Sequence, residues 1–141
     1  MVMVNTGSKV VVADSDRTVL ELLQIRLDVA GYHACVARNG PAVLETLKYL
    51  RPSALVIDVA LAEMNGFEVL EALSRRPERL PPTLVVGRKL AAEDITKALS
   101  LGARDCMTKP FSGADVLDRI GRLVRDPGLG VPARRVQWID A

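Results

Sequence analysis

Short runs of Val, Leu and Ile recur along the chain, separated by longer stretches in which apolar residues fall three or four apart. Such alternation marks strands buried on both faces and joined by amphipathic helices, the pattern of βαβ units that share a parallel sheet. Five such units fit the sequence. The first strand is predicted over Lys9–Ala13. Its helix places Leu20, Leu23, Leu27 and Ala30 on one face, with Thr18 and Glu21 as an opening capping box and Gly31 as the C-terminal cap. Tyr32–Ala37 alternates as a strand suited to a sheet edge. A helix with Val43, Leu44, Leu47 and Leu50 inward then runs to Arg51, where Pro52 stops it. Ala54–Ile57 is a fully apolar third strand ending in Asp58. The next helix opens after Asn65 and Gly66, buries Phe67, Leu70 and Leu73, and ends before Pro77. Thr83–Val86 supplies a fourth strand, and Ile95, Ala98 and Leu99 give the fourth helix an inner face closed by Gly102. Arg104–Met107 forms a short fifth strand ahead of Lys109 and Pro110. Val116, Leu117, Ile120, Leu123 and Val124 line the last helix.

Length and composition narrow the class without changing this picture. A chain of 141 residues is the size of one domain and can bury a core without metals or disulfides. With 49% hydrophobic and 26% charged residues it has the balance of a globular protein, which argues against disorder outside the ends. The net charge of +2 is small and its Lys and Arg residues are scattered, so no basic stripe points to a nucleic-acid partner. No apolar run approaches the roughly 20 residues a membrane helix needs, and Met1–Gly7 lacks a charged segment and a cleavage pattern. A cytoplasmic protein without membrane contact is expected. Cys35 and Cys106 fall in separate strands without metal-ligand spacing, which suits reduced, buried thiols. His33, alone in an edge-strand pattern, reads as structural.

Parallel sheets with helices on both faces bind ligands beyond the carboxyl ends of their strands, where the strand order reverses. In the flavodoxin-like, doubly wound order 2-1-3-4-5, strands one and three are neighbours at that point. Asp14 and Asp58, each just past its strand, are therefore expected to converge, with Lys109 on the same rim and the two cysteines on opposite sides of the sheet centre. Two carboxylates and an ammonium make a hard-oxygen cation site with a countercharge, suited to Mg²⁺ and a phosphoryl group. Singly, each acid reads as a strand-end cap and the lysine as a surface residue; their joint placement favours chemistry.

The run Val10–Asp16, the stretch VIDVALAEMNGFEVL around Asp58, and GARDCMTKPF from Gly102 to Phe111 together resemble the receiver domain of two-component response regulators. The resemblance covers residues 8–125. It implies that Asp58 accepts a phosphoryl group from a histidine kinase, a phosphotransfer protein or a small donor. It further implies that Asp14, Asp58 and the Ala60 backbone carbonyl hold Mg²⁺, that Lys109 pairs with the acceptor, and that Pro110 follows a cis bond. The implied output surface, for a protein partner or a homodimer, is the face of the fourth helix, fifth strand and fifth helix, where Glu93, Asp94, Lys97, Arg104 and Asp105 could form salt bridges between copies. No catalytic turnover is implied.

Five positions depart from the family pattern. Ser15 stands where a second, metal-ligating acid is usual, which weakens Mg²⁺ binding or removes it; Asp16 is read as a helix cap more than as a substitute ligand. Gly87 replaces the Thr or Ser whose hydroxyl holds the phosphate, and Arg88 follows it where a small residue is usual. Arg88 is either a solvated loop residue or a permanent positive charge near Asp58. Cys106 replaces the switching aromatic of the fifth strand, and Ala62 a common proline. Two readings stand side by side: a receiver phosphorylated on Asp58, and a pseudo-receiver acting as a phosphorylation-independent docking module. A flavin-binding or enzymatic reading is disfavoured, because Asp14–Arg17 lacks a glycine- or hydroxyl-rich phosphate loop. Pro127, Gly128, Gly130 and Pro132 make 126–141 a tail or linker, with packing of Val136, Trp138 and Ile139 on the domain as the alternative.

Overall fold

The computed structural model describes residues 7–126. The expectations for the tail and Trp138 lie outside the described residues, apart from Asp126. Strand β1 (Lys9–Ala13) lies between β2 (His33–Ala37) and β3 (Ala54–Asp58), and the sheet continues through β4 (Thr83–Gly87) to β5 (Asp105–Thr108). Every pairing is parallel, in the predicted order β2-β1-β3-β4-β5. The helices are α1 (Arg17–Val29), α2 (Gly40–Tyr49), α3 (Gly66–Ser74), α4 (Ala92–Ser100) and α5 (Gly113–Arg125).

Alternate residues of the central strands point to opposite faces, so the apolar runs feed two cores at once. Val10, Val12, Val56, Leu84 and Val86 pack with Leu20, Leu23 and Leu27 of α1 and Val116, Ile120 and Leu123 of α5. Val11, Leu55, Ile57 and Val85 pack with Val43 and Leu47 of α2, Val69, Leu70 and Leu73 of α3, and Ala98 of α4. A fully buried Leu contributes about 1.5–3 kcal/mol, so these layers dominate stability and fix the strand ends rigidly.

Local details differ from the expectations in several places, among them β5, which runs Asp105–Thr108 and not Arg104–Met107, and β4, which extends to Gly87. Asp16, not Thr18 with Glu21, caps α1: its backbone is extended and its carboxylate accepts from the Thr18 and Val19 amides, two residues before the expected box. Strand β2 begins at His33, leaving Tyr32 as a buried residue outside it. Helix α2 ends at Tyr49, because Leu50 is already extended on the way to Pro52. In α3 the fully buried set is Val69, Leu70 and Leu73, with Phe67 only half-buried under Lys97, whose ammonium lies 4.9 Å from the ring centroid. Cys35 and Cys106 form no disulfide and are half-buried, not buried, on the two edge strands. His33 is exposed on the edge strand β2.

Candidate functional site

The sheet register builds the site. Ala13 is the partner of Ile57, so Asp14 and Asp58 leave their strands side by side at the carboxyl edge. Each acid bends back onto its own loop: Asp14 Oδ1 accepts from the Asp16 amide at 2.9 Å, and Asp58 Oδ1 accepts from the Ala60 amide at 3.0 Å. Their remaining oxygens face the same cation. Lys109 Nζ donates to Asp14 Oδ2 at 2.6 Å and to Asp58 Oδ2 at 2.7 Å. All three side chains are under 10% exposed, which makes this the most deeply buried ion-pair group among the described residues. The Lys109–Pro110 bond is cis, as the resemblance implied, and the Lys109 amide is anchored to the Gly87 carbonyl at 2.8 Å.

Burial is the largest single influence on both Asp14 and Lys109, and it decides the direction only for Asp14. Desolvation pushes the Asp14 carboxyl above the ordinary carboxylate range, outweighing the hydrogen bond from Lys109 that acts to lower it. Burial also acts to lower the Lys109 ammonium, but its bonds to Asp14 and Asp58 together hold it above the ordinary lysine value. The trio carries two negative charges against one positive, leaving an excess of one negative charge at the sheet edge.

The other singled-out positions divide. Ser15 is exposed and bridges three loops: its Oγ donates to the Arg38 carbonyl at 3.3 Å and accepts from the Ala62 amide at 2.9 Å. The isolated bridge between Asn39 and Ala62 continues this tie. Ser15 thus holds the loops after β1, β2 and β3 together, a role that the sequence hid because its partners lie 23 and 47 residues away. Asp16 is engaged as a cap. Ala60 is exposed at the turn after Asp58.

Gly87 is buried at the end of β4, where an added Cβ would meet Leu90 Cδ2 and Val59 Cγ2, each at 2.8 Å. The room a hydroxyl side chain would need is therefore taken by apolar atoms. Cys106 is half-buried, and its carbonyl accepts from Arg119 at 3.3 Å. Arg88 is exposed beside the site. On the α4, β5 and α5 face, Asp105 is paired with Arg119 of its own chain at 3.0 Å, and Asp94 accepts from the Ala91 amide.

As a donor set, two carboxylates on adjacent loops match what Mg²⁺ takes when it keeps several waters. No group of three or more His, Cys, Asp and Glu is assembled among the described residues, and Ser15 adds no charge. None of the described helices is long and apolar enough to cross a membrane.

The chain is similar to known proteins in sequence and in fold. The family model described as response regulator receiver domain matches residues 10–121. The alkaline phosphatase synthesis transcriptional regulatory protein PhoP of Bacillus subtilis (strain 168) is 32% identical over 131 residues, 93% of this chain and 54% of that protein. Response regulator MprA of Mycobacterium ulcerans (strain Agy99) is 34% identical over 117 residues, 83% of this chain and 50% of that protein. The chain spans about half the length of the curated relatives it matches. Among solved structures, a putative response regulator from Chloroflexus aurantiacus J-10-fl has a TM-score of 0.76 at 26% identity, over 85% of this chain and 99% of that one. The Francisella response regulator 1452 receiver domain, at 24% identity, shares the fold with a TM-score of 0.79 over 84% of this chain and 98% of its own. With the strand order, the acids at the ends of β1 and β3 and the lysine after β5 in place, the chain belongs to the response regulator receiver domain family.

Proposed function

We propose that this receiver domain accepts a phosphoryl group on Asp58 from a sensor histidine kinase or phosphotransfer protein. The observation that carries the reading is the Lys109 ammonium shared between Asp14 and Asp58 at the sheet edge. In the transfer, a carboxylate oxygen of Asp58 attacks phosphorus, the bond from phosphorus to the donor's leaving group breaks, and its electron pair leaves with that group. The product is an acyl phosphate. A carboxylate meets an anionic phosphoryl group only against charge repulsion, so the neighbouring cation sets the rate. Asp14, Asp58 and the Ala60 carbonyl are the ligands we assign to Mg²⁺, which would screen that repulsion when bound. Lys109 holds the Asp58 oxygen in place and then pairs with the phosphoryl oxygens.

Binding of the ion is weak in this proposal, because Ser15 contributes hydrogen bonds to the loops and no charge. The domain then signals through the α4, β5 and α5 face to a partner or to a second copy, as an acceptor and not as a turnover enzyme.

A second reading, a docking module independent of phosphorylation, draws support from Gly87. With Val59 and Leu90 filling the space beside it, the loop after β4 has no hydroxyl with which to follow the phosphate. Incubation with acetyl phosphate or phosphoramidate and Mg²⁺, followed by intact-mass measurement, separates the two. The acceptor reading predicts a gain of one phosphoryl group that disappears in Asp58→Asn; no gain with either donor at excess Mg²⁺ favours the docking module.

A further inference from the structure

Beside the acid pair lies a cavity of about 160 Å³, lined by Val19, Leu22, Arg88, Lys109, Pro110 and Phe111. One water needs roughly 10–15 Å³ of such space, so the cavity has room for a tetrahedral anion together with the group that carries it. Its lining contains two cations, no acid, and otherwise apolar side chains. The two cations are not equivalent. Lys109 is committed to Asp14 and Asp58, whose combined charge exceeds its own. Arg88 is exposed and makes no hydrogen bond or ion pair among the described residues. The end of β4 supplies no hydroxyl, and Leu90 and Val59 fill the space beside Gly87. Of the two cationic side chains that follow Gly87, Arg88 lines the cavity and Lys89 does not.

We propose that this cavity is the phosphodonor's binding site and that Arg88 is its phosphoryl-binding side chain, taking over the contact that Gly87 cannot make. The proposal rests on the acceptor reading of Asp58. Charge balance favours it: without the ion, the two acids and Lys109 leave one negative charge in excess, and Arg88 adds a positive charge that offsets it on the side from which an anionic donor arrives. The guanidinium presents a planar fork of donors that matches phosphoryl oxygens bidentately, which a point-charge ammonium does not. Val19, Leu22, Pro110 and Phe111 offer apolar walls to the leaving group. Arg88 acts as a binding residue toward the donor and leaves the nucleophile to Asp58.

The test separates binding from transfer. In Asp58→Asn protein, which cannot form the acyl phosphate, phosphoramidate and phosphoimidazole are titrated while the amide resonances of residues 87–89 and 109 are followed by NMR. Arg88→Ala in that background weakens binding of both probes about tenfold or more, Arg88→Lys recovers part of the loss, and Lys89→Ala leaves affinity unchanged. The intact mass of wild-type protein is recorded with the same donors. Phosphoryl gain in the wild type with donor binding indifferent to Arg88→Ala overturns the Arg88 assignment and leaves the acceptor reading standing. Arg88-dependent binding without any phosphoryl gain overturns the acceptor reading and leaves the cavity as an anion site. Absence of donor binding in Asp58→Asn overturns the cavity proposal itself.

Discussion

At the scale of single residues, the site is three charges forced into low-dielectric space, and its pH dependence follows from which charge bears the cost. Asp14 has a raised folded-state pKa because of burial, so the folded protein holds that proton more tightly than the unfolded chain does. Its contribution to stability therefore falls as pH rises from the ordinary value of 3.8 through the raised one, and stays lower above it. Lys109 runs the other way. Its folded value is raised, so its contribution is full below the ordinary 10.5 and is lost as pH climbs through the higher folded value.

Urea denaturation across pH 4–7 should therefore show the stability of Asp14→Asn rising relative to wild type as pH increases; a constant difference between the two proteins would mean that Asp14 bears no burial cost. Lys109→Ala leaves two buried carboxylates without their cation and should cost about 3 kcal/mol near neutral pH. That loss should shrink when Asp14→Asn is added, since one of the two uncompensated charges is then gone. Purely additive losses in this double-mutant cycle would show that Asp14 and Lys109 are not coupled. The acids and the lysine were legible in the sequence because each ends a strand; the role of Ser15 was not, because its partners come from two distant loops.

At the scale of elements, caps and close approaches aim the acceptor. Asn65 accepts from the Glu68 amide while Glu68 accepts from the Asn65 amide, a reciprocal box that starts α3 directly after the acceptor loop. Gly66 lies so close to β3 that an added Cβ would meet the Asp58 carbonyl oxygen at 2.6 Å and Val59 Cα at 2.9 Å, and both are backbone atoms that cannot rotate away. Asn65→Ala should cost about 1 kcal/mol and leave the acceptor in place. Gly66→Ala should cost more than that and also slow phosphoryl transfer, because the displaced backbone is that of Asp58 itself. Thermal melts combined with donor kinetics check both variants, and a Gly66→Ala protein with wild-type transfer would contradict the close-approach account.

Element existence was readable from periodicity alone, since strands buried on both faces leave unbroken apolar runs such as Ala54–Ile57. Element ends were less so. Thr18 with Glu21 fits a capping pattern as well as Asp16 does, and only the extended backbone at Asp16 decides between them. Similarly, Phe67 and Val69 are both apolar residues of α3, and the fold buries Val69 while Phe67 stays half-buried under Lys97.

At the scale of the whole molecule, two cores on opposite faces of one sheet hold the strand ends, and so the site, as a rigid unit. Leu55 belongs to the face covered by α2, α3 and α4, and Leu84 to the face covered by α1 and α5, yet their strands are adjacent. Leu55→Ala and Leu84→Ala should each cost about 2–5 kcal/mol, and each variant should still unfold in one transition by circular dichroism and by hydrogen exchange of β1, β3 and β4. Separate transitions for the two faces would contradict a shared scaffold. The fold was recoverable from sequence at this scale because five units and the strand-end chemistry pointed to one topology. The cavity beside Arg88 was not, because its walls come from α1 and from the loops after β4 and β5, which only the fold brings together.

The central claim is that Asp58 is the group that takes the phosphoryl. The most direct measurement is borohydride treatment of donor-phosphorylated protein followed by peptide mass mapping, since reduction of an aspartyl phosphate leaves homoserine in place of aspartate. The account predicts homoserine at position 58 and nowhere else. Homoserine at another acid, or a phosphate on Ser15 that resists borohydride as a simple ester does, would contradict it.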